Sequence, residues 1–215
     1  MELLKNIGYY YSINGQYVLE QFFRHFLISI YGVLFASLIA IPLGFYLARH
    51  SKMADWVIGI ANVIQTVPAL ALMSLLMLAI GLGTKTIIIT VMLYSLLPII
   101  KNTYTGVKNI DAGIMDSAKG MGMTKWQMTY MVEFPLAISM IMAGIRNALV
   151  VGIGVTAIGT FIGAGGLGDI ISRGISVANG SAIILAGAIP TAVMAVITDL
   201  LLGKIERALT PKEIN

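Results

Sequence analysis

Five apolar stretches, each about as long as a membrane-crossing helix, constrain this chain more than any other feature. A helix needs about twenty apolar residues to span roughly 30 Å of hydrocarbon. Stretches of that length lie near 26–48, 57–80, 86–107, 136–158 and 181–203. Hydrophobic residues make up 58% of the chain and charged residues 11%, outside the range of soluble domains. The sequence therefore predicts an all-α integral membrane protein with five transmembrane helices.

Prolines interrupt two of these segments. Pro68 follows Gln65, Thr66 and Val67 in the middle of the second segment, where a missing N–H breaks helical hydrogen bonding. We expect a short helix there, followed by a second, offset helix. Pro98 predicts a kink in the third segment.

The basic residues predict the orientation, because cytoplasmic loops collect Lys and Arg. With the amino terminus outside, nine basic residues fall on the inner side, four fall on the outer side, and Arg146 lies within the fourth segment. We therefore expect a multi-pass plasma-membrane protein with its amino terminus outside and its carboxyl terminus in the cytoplasm.

The whole chain, 1–215, reads as a single transmembrane domain. Residues 1–25 are too polar to span and are predicted to lie at the outer membrane interface. The five-helix core covers 26–203 and includes a cytoplasmic loop at 108–133. Residues 204–215 are expected to form a cytoplasmic tail.

The 108–133 loop carries the most informative polar pattern. It contains DSAKGMG at 116–122 and, after nine further residues, VEFP at 132–135. Gly120 and Gly122 allow the backbone to reverse between two short helices. Thr124 and Gln127 have capping-box spacing, which predicts the start of the second helix. Pro135 suits the first turn of the helix that follows.

Met123, Trp126 and Met128 are the candidate apolar anchors of this helix-turn-helix for a groove on a partner protein. The alternative is an amphipathic loop that rests on lipid headgroups, which would also explain Lys119 and Lys125.

This loop resembles the EAA loop of ATP-binding-cassette importer permeases. The positions that carry the resemblance are Asp116, Ser117, Ala118, Gly122, Val132, Phe134 and Pro135. Asp, Ser, Val and Phe stand where the family pattern has Glu, Ala, Ile and Leu. The resemblance implies a cytoplasmic coupling helix that binds an ATPase. The residues expected to couple are Asp116, Ser117, Ala118, Gly120, Gly122, Met123, Thr124, Trp126 and Pro135.

The rest of the chain resembles the permease subunits of osmoprotectant importers for glycine betaine, carnitine, choline or proline. Residues 62–70, 94–106 and 161–169 carry that resemblance. It implies the methionine-importer-like type I permease fold and ATP-driven uptake by alternating access. The implied partners are two ABC ATPase subunits, a second permease, identical or paralogous, and a separate extracytoplasmic binding protein. The residues do not rank the four substrates.

Other chemistry is excluded by what the sequence lacks. No GxxxxGK[ST] stretch occurs, so we expect ATP and Mg²⁺ to bind a separate ATPase and this chain not to be an enzyme. No cysteine is present and only two histidines are, so no metal site or cofactor in this chain is expected. The basic residues flank the membrane and form no stripe, so the expected contacts include lipid but no nucleic acid.

Polar residues at membrane depth are the candidates for a substrate pathway, since each needs a partner or water there. They are Gln65, Thr66, Tyr94, Arg146, Asn147, Thr156 and Thr160. Arg146 suits the carboxylate of betaine or carnitine, and a structural ion pair with Glu133 or Asp199 is the alternative. Tyr94 could offer a cation–π contact. For Tyr94 and the other uncharged residues, helix–helix hydrogen bonds are the alternative.

A glycine-rich stretch, GAGGLG at 163–168, matches the dinucleotide-binding pattern but follows an apolar helix instead of a strand. A flexible outer turn is the better interpretation. Three other functions stay open: a permease for methionine or another amino acid, an ion-driven secondary carrier, and an assembly protein without a transport path. A carrier commonly shows internal repeats, and none is visible.

Overall fold

The computed structural model describes residues 2–210, so Met1 and residues 211–215 of the predicted tail lie outside the described residues. Nine α-helices are described there, joined by short turns, one π-helical segment and one 3₁₀ turn. The α-helices are α1 (Glu2–Ala48), α2 (Ser51–Thr66), α3 (Ala69–Ile80), α4 (Thr84–Lys108), α5 (Ala112–Gly120), α6 (Lys125–Gln127), α7 (Phe134–Ile158), α8 (Leu167–Ile175) and α9 (Ser181–Leu209).

The five predicted spans are confirmed. Helices α1, α4 and α9 are long and apolar enough to cross a membrane, as is the continuous helical stretch Lys125–Ile162. The fifth span is the pair α2 and α3, which meet at an angle of 98°. The break falls at Val67 and Pro68, as the missing proline N–H predicts.

Helix α1 differs from its prediction. It has 47 residues, about 70 Å at the α-helical rise, with a non-helical residue at Asn14. No helix end occurs near residue 26, so the predicted outer segment and the first span form one continuous helix. The placement of 1–25 at the membrane interface stays a prediction.

Small residues bring α4 into close contact with its neighbours α1 and α7. A Cβ on Gly32 of α1 would lie 2.5 Å from a methyl carbon of Val91, and one on Gly44 would lie 2.6 Å from Cβ of Thr103. Helices approach closely in membranes where such residues face each other. Helix α4 therefore forms the centre of the bundle and fixes the positions of α1 and α7.

The turn before α8 is packed, in contrast to the flexible turn expected. Ala164 and Leu167 have no exposed surface, and Gly163, Gly165 and Gly166 adopt positive φ. The buried His25 accepts the N–H of Leu167 at Nδ1, 3.2 Å away, and its Nε2 lies 2.9 Å from the carbonyl oxygen of Ile153. Because Nδ1 accepts, Nε2 carries the proton. His25 thus joins α1, α7 and the start of α8, a helix that the sequence did not predict.

Candidate coupling loop and translocation cavity

The first arm of the loop is helix α5, which is capped at both ends. The carboxylate of Asp111 accepts the N–H groups of Gly113 and Ile114 at 2.8 and 3.2 Å. This N-cap was not predicted, although an Asp at the end of a helix-flanking turn is its usual signal. At the other end Gly122 has φ +74°, so the predicted reversal occurs there. Gly120 is still helical.

The second arm is not a separate short helix, and that prediction was wrong. Thr124 and Gln127 form the predicted capping box at the start of α6. The chain then continues through a π-helical segment, Met128–Glu133, directly into α7. Pro135 lies in the first turn of α7. The ring of Pro135 and its missing N–H disfavour a regular α turn in the preceding residues. The wider π-helical turn of Met128–Glu133 leaves room for the proline.

The apolar tip of the loop is partly different from the predicted set. Trp126 is 77% exposed and Met121 is 71% exposed, with Ile114 nearby in sequence at 45%. The predicted anchors Met123 and Met128 are half-buried. Trp126 and Met121 are therefore accessible to a partner.

Three more of the predicted loop residues differ in their exposure: Ala118 is buried, whereas Asp116 and Ser117 face solvent. Ala118 is 2% exposed, and α5 packs against the π-helical segment. Ser117 is exposed, and Asp116 pairs with Lys119 at 2.9 Å. Exposed pairs of this kind contribute little stability. Asp116 and Ser117 are therefore accessible to a partner.

An ion pair between the half-exposed Arg49 and the buried Glu133 lies at the base of the second arm. Nη2 of Arg49, at the end of α1, lies 2.6 Å from the carboxylate of Glu133 and 2.5 Å from the hydroxyl of Thr129. The Glu133 side chain is only 5% exposed. Glu133 was one of the two alternative ion-pair partners predicted for Arg146, but it pairs with Arg49 instead. The pair connects the end of α1 to the π-helical segment, which continues into α7.

A cavity of about 440 Å³, with polar and apolar lining, lies where the end of α2 meets α4 and α7. Its lining residues are Gln65, Leu97, Pro98, Lys101, Asn102, Thr105, Met140 and Asn147. Two predicted pathway residues, Gln65 and Asn147, are brought together here. Lys101, Asn102 and Thr105 were missed, although their polarity within an apolar segment was a visible signal.

Gln65 and a third predicted pathway residue, Tyr94, form hydrogen bonds at the α2–α3 break. Pro98 has no N–H to donate to the carbonyl of Tyr94, and Nε2 of Gln65 donates to that oxygen instead at 3.4 Å. The Tyr94 hydroxyl donates to the carbonyl of Val67. Tyr94 is also 7% exposed. Its hydroxyl therefore makes a bond between helices, as in the alternative interpretation. Its cation–π contact stays a prediction.

Three threonines of the predicted pathway also bond within the protein. Thr66 donates to the carbonyl of Val63 at 2.7 Å. Thr156 is buried and accepts from Ser29 at 2.9 Å. Thr160 donates to Asp169 at 3.5 Å. Thr156 and Thr160 thus bond to other helices, as in the alternative interpretation, whereas the bond of Thr66 stays within α2.

Arg146 forms a structural ion pair with α9. Its Nε lies 3.0 Å from Asp199, the predicted alternative partner, and its Nη1 lies 2.9 Å from Glu206. Ser139 lies 3.4 Å from the other carboxylate oxygen of Glu206. A guanidinium with two carboxylates is satisfied without substrate, and its contact with substrate stays a prediction.

Comparison with known proteins assigns this architecture to a family. Residues 40–211 match the binding-protein-dependent transport system inner membrane component. The chain belongs to this family. It is 64% identical over 211 residues to the carnitine transport permease protein OpuCD of Listeria monocytogenes, covering 98% of this chain and 95% of that protein. It is 62% identical to the glycine betaine/carnitine/choline permease protein OpuCD of Bacillus subtilis, covering 98% and 92%.

Solved structures show the same fold at low sequence identity. The chain matches an inward-facing MetNI methionine ABC transporter with a TM-score of 0.81 and 19% identity, covering 90% of this chain and 96% of that one. An amino acid ABC transporter crystallised with histidines matches with a TM-score of 0.65 and 20% identity, covering 91% and 97%. This member of the inner membrane component family therefore has the predicted methionine-importer-like permease fold.

Proposed function

We propose that this chain is the permease subunit of an ATP-driven importer of quaternary ammonium osmoprotectants. The observation that carries the proposal is 64% identity across 98% of the chain to a permease named for carnitine. Permeases named for glycine betaine, carnitine and choline follow at 62%, and one named for choline at 58%. Uptake of such solutes raises the cytoplasmic osmolarity, so the expected role is survival of osmotic stress.

The complex would contain two ABC ATPase subunits, a second permease and a separate extracytoplasmic binding protein. Membership of a binding-protein-dependent family supports the ATPase and the binding protein. The second permease would be a copy of this chain or a paralogue. ATP and Mg²⁺ would bind the ATPases. The excess of basic residues on one side supports an external amino terminus and a cytoplasmic loop.

The exposed tip of the loop is the proposed ATPase contact. Trp126 and Met121 would enter an apolar groove, and Asp116 and Ser117 would bond at its rim. Aromatic side chains that fill pockets commonly dominate the energy of an interface. Of the residues predicted to couple, Gly122 and Thr124 shape the turn, and a coupling role for Ala118, Gly120, Met123 and Pro135 stays a prediction.

The continuity of α6 with α7 supports a route for coupling. Closure of the ATPases on ATP would displace the tip. The π-helical segment would pass that displacement to α7, while the Arg49–Glu133 pair would pass it to α1. Asn147, on α7, lines the cavity, so its access would change with the nucleotide state. Gln65 and Asn147 are the predicted pathway residues that this cavity favours.

Uptake of labelled glycine betaine after salt upshift tests the substrate. A strain that lacks other osmoprotectant carriers would be compared with and without this gene, with carnitine and choline as competitors. We expect uptake to require the gene. Unchanged uptake on deletion would overturn the osmoprotectant assignment while leaving family membership intact, and labelled methionine would then be the next substrate to measure.

The chain offers a matched pair for testing the ATPase contact. Trp126 and Trp56 are both 77% exposed, but Trp56 lies on α2 and away from the loop. We expect Trp126→Ala to reduce co-purification of the ATPase by about tenfold, the loss typical of a buried aromatic anchor. Trp56→Ala should leave it unchanged. Equal retention of ATPase by both variants would overturn the proposed contact.

A further inference from the structure

The cavity between α2, α4 and α7 contains a lysine that has no partner of its own. Lys101 lines the cavity and is exposed. Among residues 2–210, no carboxylate lies within 4.0 Å of its ammonium group. Arg146, which lies within the fourth predicted span, in contrast pairs with two carboxylates. An unpaired charge at such a position needs water or an anionic ligand.

The cavity lies among the long helices and not in the coupling loop. Lys101 lies about 10 Å along α4 from its last residue, and Asn147 lies about 20 Å along α7 from its first. Both distances start from the end of the bundle that carries α5. The cavity therefore lies between the helices of the bundle, about 10 to 20 Å along them from the ends that adjoin the coupling loop.

The amides of the cavity have a fixed direction. Nε2 of Gln65 donates to the carbonyl of Tyr94, and Nδ2 of Asn102 donates to the carbonyl of Pro98 at 2.7 Å. A carbonyl oxygen only accepts, so the nitrogen of each amide must face it. This leaves the Gln65 and Asn102 side-chain oxygens as the free ends. Lys101, Gln65 and Asn102 all line the cavity, so it combines one cationic group with two amide groups whose nitrogens are already engaged.

We infer that this cavity is a subsite for a zwitterion, in which Lys101 binds the carboxylate and the amide oxygens face the quaternary ammonium group. The inference rests on the proposed function and adds a basis for distinguishing substrates. Betaine and carnitine carry both charges, whereas choline carries only the positive one. Lys101 would attract the first two and repel the third. The volume, about 440 Å³, falls within the range of small-molecule sites.

Uptake into proteoliposomes that contain the complete transporter, with excess binding protein, tests this subsite. The variants are Lys101→Met, which removes the charge, Lys101→Arg, which keeps it, and Lys85→Met as control. Lys85 is exposed on the same helix but lies at its other end, outside the cavity. Betaine, carnitine and choline would each be labelled in turn.

We expect Lys101→Met to lower betaine and carnitine uptake by about tenfold, as for a lost bond to a charged group. Choline uptake should stay unchanged or rise, and Lys101→Arg and Lys85→Met should resemble the wild type. Wild-type rates for zwitterions in Lys101→Met would overturn the subsite. Equal losses for all three substrates would also overturn it, because they would indicate a structural lysine. If the wild-type complex transports none of the three, the proposed function itself fails and the subsite fails with it.

Discussion

Removing either partner of the Arg49–Glu133 pair should have unequal effects on stability. The Glu133 side chain is 5% exposed, whereas the Arg49 side chain is 39% exposed. Arg49→Met would leave a buried carboxylate without its cation, and removing one partner of a buried pair costs about 3–5 kcal/mol. Because the Arg49 side of the pair reaches solvent, we expect a loss of stability at the lower end of this range, about 3 kcal/mol.

Glu133→Gln should be much milder. The amide oxygen of Gln can still accept from the Arg49 guanidinium, which also reaches water, so the expected loss is about 1 kcal/mol. The double variant has no buried unpaired charge. It should lose about 1–2 kcal/mol, well under the roughly 4 kcal/mol expected from adding the two single effects.

Thermal unfolding of the purified permease in detergent, followed by intrinsic tryptophan fluorescence, measures these differences. About 2–4 °C per kcal/mol is expected for a chain of this size, so Arg49→Met should lower the midpoint by about 6–12 °C. The double variant should recover most of that loss. Additive losses, or a larger loss for Glu133→Gln than for Arg49→Met, would refute the assignment of Glu133 as a buried, partner-dependent charge.

Three further outcomes are expected. Gly122→Asp adds a side chain and a charge at φ +74° and should abolish uptake while the protein still inserts, as an immunoblot of membranes would show; wild-type transport would contradict the turn's role. Gly168→Ala should lower the unfolding midpoint, because its Cβ would lie 1.9 Å from the carbonyl oxygen of Ala157, whereas Gly8→Ala has open space and should not. Equal midpoints for these two would contradict the close contact. Arg146→Met should reduce betaine and choline uptake in the same proportion, since its guanidinium is occupied by two carboxylates of α9; a selective loss for betaine would restore the substrate contact.

Much of the coupling loop could be predicted because its geometry is local. The reversal at Gly122 follows from a residue that tolerates positive φ, and the capping box follows from the spacing of Thr124 and Gln127. The apolar tip was predicted less well. Trp126 is exposed as expected, but Met123 and Met128 turn partly inward and Met121 outward. Which methionines face solvent depends on how the loop packs against the bundle.

The cavity could be predicted only in part. Gln65 and Asn147 were candidates because polar groups at membrane depth need partners, a rule that applies to each residue separately. Nothing in their spacing shows that they line one space with Lys101. The same rule selected Tyr94 and Thr156, whose needs are met by other helices.

The sequence by itself determined the number of spans, the break at Pro68 and the turn of the loop, because apolar length, a missing N–H and glycine dihedral freedom act within a few residues. Only the tertiary structure decided the rest. Helix α1 extends to Glu2, and Tyr11 on that extension donates to the carbonyl of Ala186 on α9 at 3.0 Å. Polar residues far apart in sequence acquire partners only when helices meet, so the ion pairs and the cavity follow from packing.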